Sequence, residues 1–180
     1  MDESKKLAGD KRRQFILSLL KERNQPITGG ELAKLTNVSR QVVVQDISLL
    51  KAGQEQIIAT SQGYLYLQDN QQQNTYQLTV ACSHTPENTR KELELIVDHG
   101  VTVKNVFIEH PVYGDLTASI MVSNRIEVDL FIKKVQATNA PYLLQLTEDG
   151  VHLHTLESDS EDKLQSAYNS LVEAGFALES

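Results

Sequence analysis

His152 and His154 stand one residue apart in the run Gly150-Val151-His152-Leu153-His154-Thr155. A strand points residues i and i+2 to the same face, so a His-x-His strand presents two imidazoles side by side. Paired imidazoles suit transition metals such as Zn²⁺ or Ni²⁺. Upstream, His84 closes an alternating apolar segment, and Glu92 follows eight residues later. On a helical wheel Glu92 falls between Leu95 and Ile96, at the edge of an apolar stripe, while Glu87 and Glu94 fall away from it. A carboxylate drawn towards a core needs a partner, because an unpaired buried charge is very costly. His84, Glu92, His152 and His154 therefore form a candidate metal centre. The same spacing also occurs on edge strands, where histidines only face water, and spacing alone does not separate the two.

These four residues need a scaffold. Tyr76, Leu78, Val80, Cys82 and His84 alternate with Gln77, Thr79, Ala81 and Ser83, the pattern of a strand with one apolar face. Thr85-Pro86 opens a helix that runs through Glu92 to Gly100. Strands follow over 101–109 and 116–122, joined by the turn His110-Pro111-Val112-Tyr113-Gly114-Asp115. Ser123 or Asn124 then caps a helix with Ile126, Leu130, Phe131 and Val135 on one side, stopped at Asn139-Ala140-Pro141. Residues 143–147 and 151–156 flank Glu148-Asp149-Gly150, which reads as a hairpin turn. A last helix covers about 160–174. The order β-α-β-β-α-β-β-α predicts a ferredoxin-like, split βαβ α+β sheet with helices on one face. Two other histidines have local readings. His99, beside Gly100, suits a helix C-terminus; His110 is either an ordinary turn residue or part of a ligand pocket.

The front of the chain has a different pattern. Phe15, Ile16, Leu19 and Leu20 repeat at helical spacing, and Pro26 and Gly29-Gly30 break the chain. A short helix at Glu31–Thr36, the turn Asn37-Val38-Ser39 and a third helix from Arg40 to about Ala52 make a helix-turn-helix. Asn37 suits a left-handed conformation, and Ser39 is a good N-cap. Val43, Ile47 and Leu50 form the inner stripe of the third helix, with Arg40, Gln41, Gln45 and Asp46 elsewhere. Ile57–Thr60, Ser61-Gln62-Gly63 and Tyr64–Leu67 complete a small hairpin, giving a winged helix. The start of such a third helix enters the major groove. Ser39, Arg40, Gln41 and Gln45 are placed to meet phosphate or base edges there. Lys11, Arg12, Arg13 and Lys34 are candidate backbone clamps, and Gln62 sits at the wing tip. The alternative is a winged helix that binds protein.

Charge agrees with a division of labour. Residues 1–70 carry 10 Lys/Arg and 8 Asp/Glu, whereas residues 71–180 carry 7 and 16, within a formal net charge of −7. A weakly basic front joined to an acidic rear leaves only the front suited to a polyanion. The Gln/Asn-rich stretch 68–75 has no hydrophobe and reads as a linker, so the expected division is 1–68, a linker at 69–75, and 76–180. One cysteine, Cys82, fits a reducing cytoplasm. There is no apolar run of membrane-spanning length and no apolar N-terminal leader, so no membrane partner is expected.

A winged helix followed by His84 and Glu92, then His-Pro-Val-Tyr-Gly at 110–114, then His-x-His at 152–154, resembles the niacin-responsive repressors of NAD biosynthesis. Their rear part is the three-histidine, or 3H, domain, and the resemblance covers about 10–175. It implies a transition-metal centre built from His84, Glu92, His152 and His154, and His110 as the remaining characteristic histidine, at the effector pocket. It implies nicotinic acid as effector and repression of genes for NAD synthesis or niacin uptake. The expectation is a homodimeric repressor on double-stranded operator DNA, with a basic residue such as Arg90 or Arg125 near the effector. A metal-responsive repressor with no organic effector is one rival. A metal-dependent hydrolase using Glu92 as base is another, disfavoured because no second carboxylate is placed as base and no nucleophile motif or phosphate-binding glycine loop appears.

Overall fold

The computed structural model describes residues 9–23, 25–67 and 75–178. The chain divides into two compact units, Met1–Asn70 and Gln71–Ser180. Nearly all of the 69–75 linker stretch lies outside the described residues.

In the front unit, α1 (Gly9–Glu22), α2 (Gly29–Thr36) and α3 (Arg40–Ala52) are followed by the antiparallel pair β1 (Ile57–Thr60) and β2 (Gly63–Tyr66). The helix ends follow their local chemistry. Thr28 Oγ accepts from the Glu31 amide at the start of α2, and Ser39 Oγ accepts from the Val42 amide at the start of α3. Asn37 takes the left-handed conformation, φ 50° and ψ 46°, that turns α2 into α3. Ile16, Leu20, Ile27, Leu32, Val43, Ile47 and Ile57 form the core. Ile27 and Tyr64 exchange two backbone hydrogen bonds of 2.9 Å, tying the wing to the segment before α2. At that crossing a Cβ on Gly63 would lie 2.5 Å from the Ile27 carbonyl oxygen, so the close approach requires glycine.

The rear unit contains β3 (Tyr76–Ser83), a 3-10 turn (Pro86–Asn88), α4 (Thr89–Val97), β4 (Thr102–His110), β5 (Gly114–Val122) and α5 (Arg125–Thr138). A second 3-10 turn (Leu143–Leu146), β6 (Val151–Ser158) and α6 (Glu161–Glu173) follow. The sheet order is β3-β6-β4-β5, antiparallel throughout. Two split βαβ units interleave: α4 connects β3 to β4 around β6, and α5 connects β5 to β6 around β4. The α+β class and the split βαβ units match the sequence expectation, with one consequential difference. A ferredoxin-like order would leave the last strand at an edge, whereas here β6, the His-x-His strand, is an inner strand. Its inward residues His152, His154, Leu156 and Ser158 are buried, beneath a core that includes Leu93, Ile96, Ile132 and Leu171.

Two local expectations are corrected. Residues 143–146 form a 3-10 turn, so there is no 143–156 hairpin. Gln145 Oε1 accepts from the Tyr142 amide at 2.8 Å, Leu144 is buried, and both edges of β6 are already taken by β3 and β4. On α5 the inward residues are Val128 and Ile132, while Ile126 and Leu130 face solvent, 74% and 55% exposed. The i, i+4, i+7 stripe through Val128, Ile132 and Val135 outcompetes the one beginning at Ile126. Among the described residues no helix is long and apolar enough to cross a membrane.

Candidate metal centre and ligand cavity

Three elements deliver the four candidate ligands. His84 follows β3, Glu92 sits one turn into α4, and His152 and His154 point inward from β6. The register sets His152 opposite Cys82 and His154 opposite Val80 on one side and Val106 on the other. Glu92 is fully buried, and the side chains of His84, His152 and His154 are no more than 4% exposed. All three imidazoles aim Nε2 at the one carboxylate. His84 Nε2 lies 2.9 Å from Glu92 Oε2, His152 Nε2 3.0 Å from Oε1, and His154 Nε2 3.3 Å from Oε1. His84, Glu92 and His152 form the tightest group, with ligand atoms within 4.8 Å of one another, and His154 joins it through Glu92.

The far side of each ring explains the near side. His84 Nδ1 meets the Thr85 carbonyl at 2.8 Å, His152 Nδ1 the Gly150 carbonyl at 2.8 Å, and His154 Nδ1 the Asn105 carbonyl at 3.1 Å. A carbonyl only accepts, so each ring carries its proton on Nδ1 and turns an Nε2 lone pair towards a carboxylate that also only accepts. One added proton on one ring satisfies one of these contacts, not three. Nε2 of His84 and of His154 and Oε2 of Glu92 are sealed from solvent with no acceptable hydrogen bond. Buried acceptors that converge without donors are what a cation corrects. Three imidazole nitrogens and a carboxylate oxygen, oriented by outer carbonyls, fit a divalent transition ion.

Without an ion, protons on these rings are the other way to bring positive charge to the carboxylate. Burial alone would raise the Glu92 pKa; the charge of His154 and hydrogen bonds from His152, His154 and His84 outweigh it and hold the carboxyl well below its usual range. Burial alone would lower His84 and His154; Glu92 outweighs it and lifts both above the ordinary imidazole value.

Gly150 connects backbone conformation to this centre. Its φ is +65°, and a Cβ there would lie 2.6 Å from the His84 carbonyl oxygen. Its own carbonyl orients His152. A Gly150→Ala variant is expected to displace His84 or His152 and weaken metal affinity at least about tenfold, the scale of lost outer-shell support. Competition with a chelating dye checks this, and an unchanged affinity would refute it.

Beside the centre lies a cavity of about 220 Å³. Glu92, His152, His154 and Thr89 line it together with Val106, Ala118 and Ile120 of the sheet, Phe131 and Val135 of α5, and the segment 140–144. The wall is overwhelmingly apolar and, among the described residues, contains no lysine or arginine. The two effector-site expectations lie elsewhere. His110, at the end of β4, accepts from the Val112 and Tyr113 amides through Nδ1 and packs on the Tyr113 ring, so it serves the turn. Arg125 clamps Asp98 with bonds of 2.7 and 2.6 Å on the outer surface. Neither is part of the cavity wall. The sequence reading missed Thr89, although it lies one turn before Glu92 on the same helical face. It also missed Asn105, whose orienting role depends on a bulge between Val103 and Asn105.

In the front unit Arg40, Gln41 and Gln45 are exposed along α3, Lys34 is exposed on α2, and Ser39 caps α3. Gln62 lies in the turn between β1 and β2. Arg12 is corrected: it is buried, and its guanidinium holds Asp46 through Nε–Oδ2 at 2.6 Å and Nη2–Oδ1 at 3.2 Å. Asp46, expected among the outward polar residues of the third helix, faces inward for the same reason, and is 2% exposed. Arg13 divides its guanidinium between Asp10 and Asp46 and is only partly buried.

Comparison with known proteins agrees with this two-part anatomy. An HTH domain family matches residues 12–65 and a 3H domain family matches residues 77–180. Transcription repressor NadR of Bacillus subtilis (strain 168) is 59% identical over 179 residues, 99% of each chain. The probable transcription repressor NiaR of Thermotoga maritima is 34% identical over 174 residues, 97% of each chain. On the strength of the 3H match over more than half the chain and of near-full-length identity to these proteins, the chain belongs to the NadR/NiaR family of transcription repressors.

Proposed function

We propose that the protein is a homodimeric transcriptional repressor whose rear unit senses a small organic acid beside a divalent transition metal, Zn²⁺ or Ni²⁺ in class. The observation that carries this reading is the converging, donor-poor His84–Glu92–His152–His154 group opening on an apolar cavity. The resemblance names the effector as nicotinic acid, acting as co-repressor, and the regulated genes as those of NAD synthesis or niacin uptake. His84, Glu92, His152 and His154 would hold the ion, which would supply positive charge beside the cavity; Glu92 would neutralise part of it, and the outer carbonyl bonds fix the three imidazoles. The effector biases the repressor only to the extent that it binds the DNA-competent arrangement better, typically by about 1–3 kcal/mol. That arrangement sets two winged helices in successive major grooves, about 34 Å apart. Arg40, Gln41 and Gln45 read base edges or phosphate, and Ser39, Arg13, Lys34 and Gln62 position the helix and wing. A repressor sensing metal alone leaves the cavity without a purpose. A hydrolase reading finds no base among the described residues, since Glu92 faces three imidazoles and no other described carboxylate lines the cavity.

Operator footprinting with metal and nicotinic acid titrated separately tests the reading. Metal alone is expected to leave the footprint weak, and metal with nicotinic acid to strengthen it; a footprint indifferent to the acid over a wide concentration range refutes it. Gln41→Ala is expected to weaken operator binding about 10- to 100-fold, the loss of one base contact of about 1–3 kcal/mol, while non-specific binding to mixed DNA changes little. Equal losses on both DNAs would make Gln41 a phosphate contact instead.

A further inference from the structure

Thr89 is the first residue of α4 and is 6% exposed. Its hydroxyl oxygen is sealed from solvent and has no hydrogen-bond partner among the described residues. A helical threonine ordinarily returns its hydroxyl to a carbonyl three or four residues back. Here the Thr85 oxygen already accepts from the Asn88 amide and from His84 Nδ1, and the hydroxyl makes no bond to the Pro86 oxygen, which accepts from the Thr89 amide. Thr89 is among the residues that line the cavity, one helical turn from Glu92, where residues i and i+3 are neighbours.

The cavity therefore has two kinds of wall. Thr89, Glu92, His152 and His154 are its polar lining residues beside the candidate metal centre. The register carries His154, Val106 and Ala118 across β6, β4 and β5 in one row, and Phe131 and Val135 of α5 also face the space. A flat ring with a polar group at one end matches this layout. With no lysine or arginine in the wall, a carboxylate there must be met by the metal centre and by a neutral donor. Tyr142, the other hydroxyl-bearing wall residue, is partly exposed and also borders an outer depression with Pro86, Glu87 and Arg90.

We propose that Thr89 is the specificity-determining residue of this cavity, its buried hydroxyl donating to a carboxylate oxygen of a small aromatic monocarboxylate whose ring lies against the apolar wall. This rests on the effector reading above and adds the residue that distinguishes an acid from its uncharged amide. A hydrogen bond to a charged acceptor is about twice as strong as one to a neutral acceptor, so the hydroxyl favours the carboxylate.

Calorimetric titration of the full chain loaded with Zn²⁺, using nicotinate and nicotinamide, tests it. Thr89→Val keeps the branched shape and removes only the hydroxyl. It is expected to weaken nicotinate binding about 10- to 100-fold, to change nicotinamide binding less, and to leave zinc content per chain unchanged. Thr89→Ser is expected to recover most of the loss, and Tyr142→Phe to have a smaller effect than Thr89→Val. Native affinity for nicotinate in Thr89→Val at full zinc content overturns the proposal, as does loss of zinc from that variant, which would give Thr89 a role in the metal centre. No nicotinate binding by the native, zinc-loaded chain overturns the effector reading itself, and the Thr89 role with it.

Discussion

Glu92→Ala is expected to lower the affinity for Zn²⁺ by at least about 100-fold, since removal of outer-shell support alone costs 10- to 100-fold and here a direct ligand is lost. Zinc competition against a chelating dye measures it. The carboxylate is the point on which three Nε2 atoms converge, and without it three buried lone pairs face one another across a void. Removing it also changes how the metal-free protein responds to pH, and the sign can be worked out. Glu92 titrates below its ordinary value of 4.5, so the stability it contributes is present above about pH 4.5 and lost as pH falls through its folded-state value. His84 and His154 titrate above their ordinary 6.5, so their contribution is full below about pH 6.5 and lost as pH rises through their folded-state values. The metal-free native protein should therefore exceed Glu92→Ala in stability most clearly between about pH 4.5 and 6.5, with the gap narrowing as pH rises. Metal affinity has the opposite slope, because the ion displaces protons from the imidazoles, and it should rise with pH across the same range. A stability gap that widened steadily towards pH 8 would contradict this account.

The His84–Glu92–His152–His154 cluster was legible because each member follows from local periodicity. His-x-His needs only the two-residue period of a strand, and Glu92 needs only the wheel of its own helix. The burial of that strand was not legible. Whether β6 lies at an edge or inside the sheet depends on non-local pairing, and its place between β3 and β4 is what takes the histidines out of water. The cavity was illegible for a related reason. Its wall is made where α5 turns Phe131 and Val135 towards the sheet and where residues 143–146 close into a 3-10 turn instead of pairing as a strand. Thr89 fell from view because a threonine next to a helix start reads as a cap, and its hydroxyl becomes notable only when the competing carbonyls are seen to be engaged. His110 and Arg125 stand outside this cavity for a different reason. Their types suit a binding pocket, but sequence does not give direction, and local partners, the Tyr113 amide for one and Asp98 for the other, hold them elsewhere. In the front unit Asp46 was set apart from the inner stripe of the third helix because nothing local gives a polar residue an inward partner. Its partner lies 34 residues earlier, on a different helix.

That partner makes Asp46→Ala the variant with the largest expected effect on the front unit. Asp46 and Arg12 are 3% and 10% exposed at the side chain and share two hydrogen bonds, with Arg13 reaching the same carboxylate at 3.4 Å. Truncating Asp46 leaves a buried guanidinium without its carboxylate, a loss of about 3–5 kcal/mol. Against a usual total of about 5–15 kcal/mol, that is a large share. The pair joins α1 to α3, the helix whose outer face carries Arg40, Gln41 and Gln45, so the geometry presented to DNA should loosen with it. In full-length protein, Asp46→Ala is expected to speed hydrogen exchange across α1 and α3 and to abolish measurable operator binding at room temperature, while zinc affinity of the rear unit stays native. Arg12→Met combined with Asp46→Leu replaces the pair with apolar volume and should return most of the lost stability. The combination also separates two roles for Arg12. If Arg12 were a phosphate clamp, the double variant would be stable yet would lose operator affinity with a shallower salt dependence. If the pair is internal, as its burial indicates, the double variant recovers stability and operator binding together, with the salt dependence of the native protein.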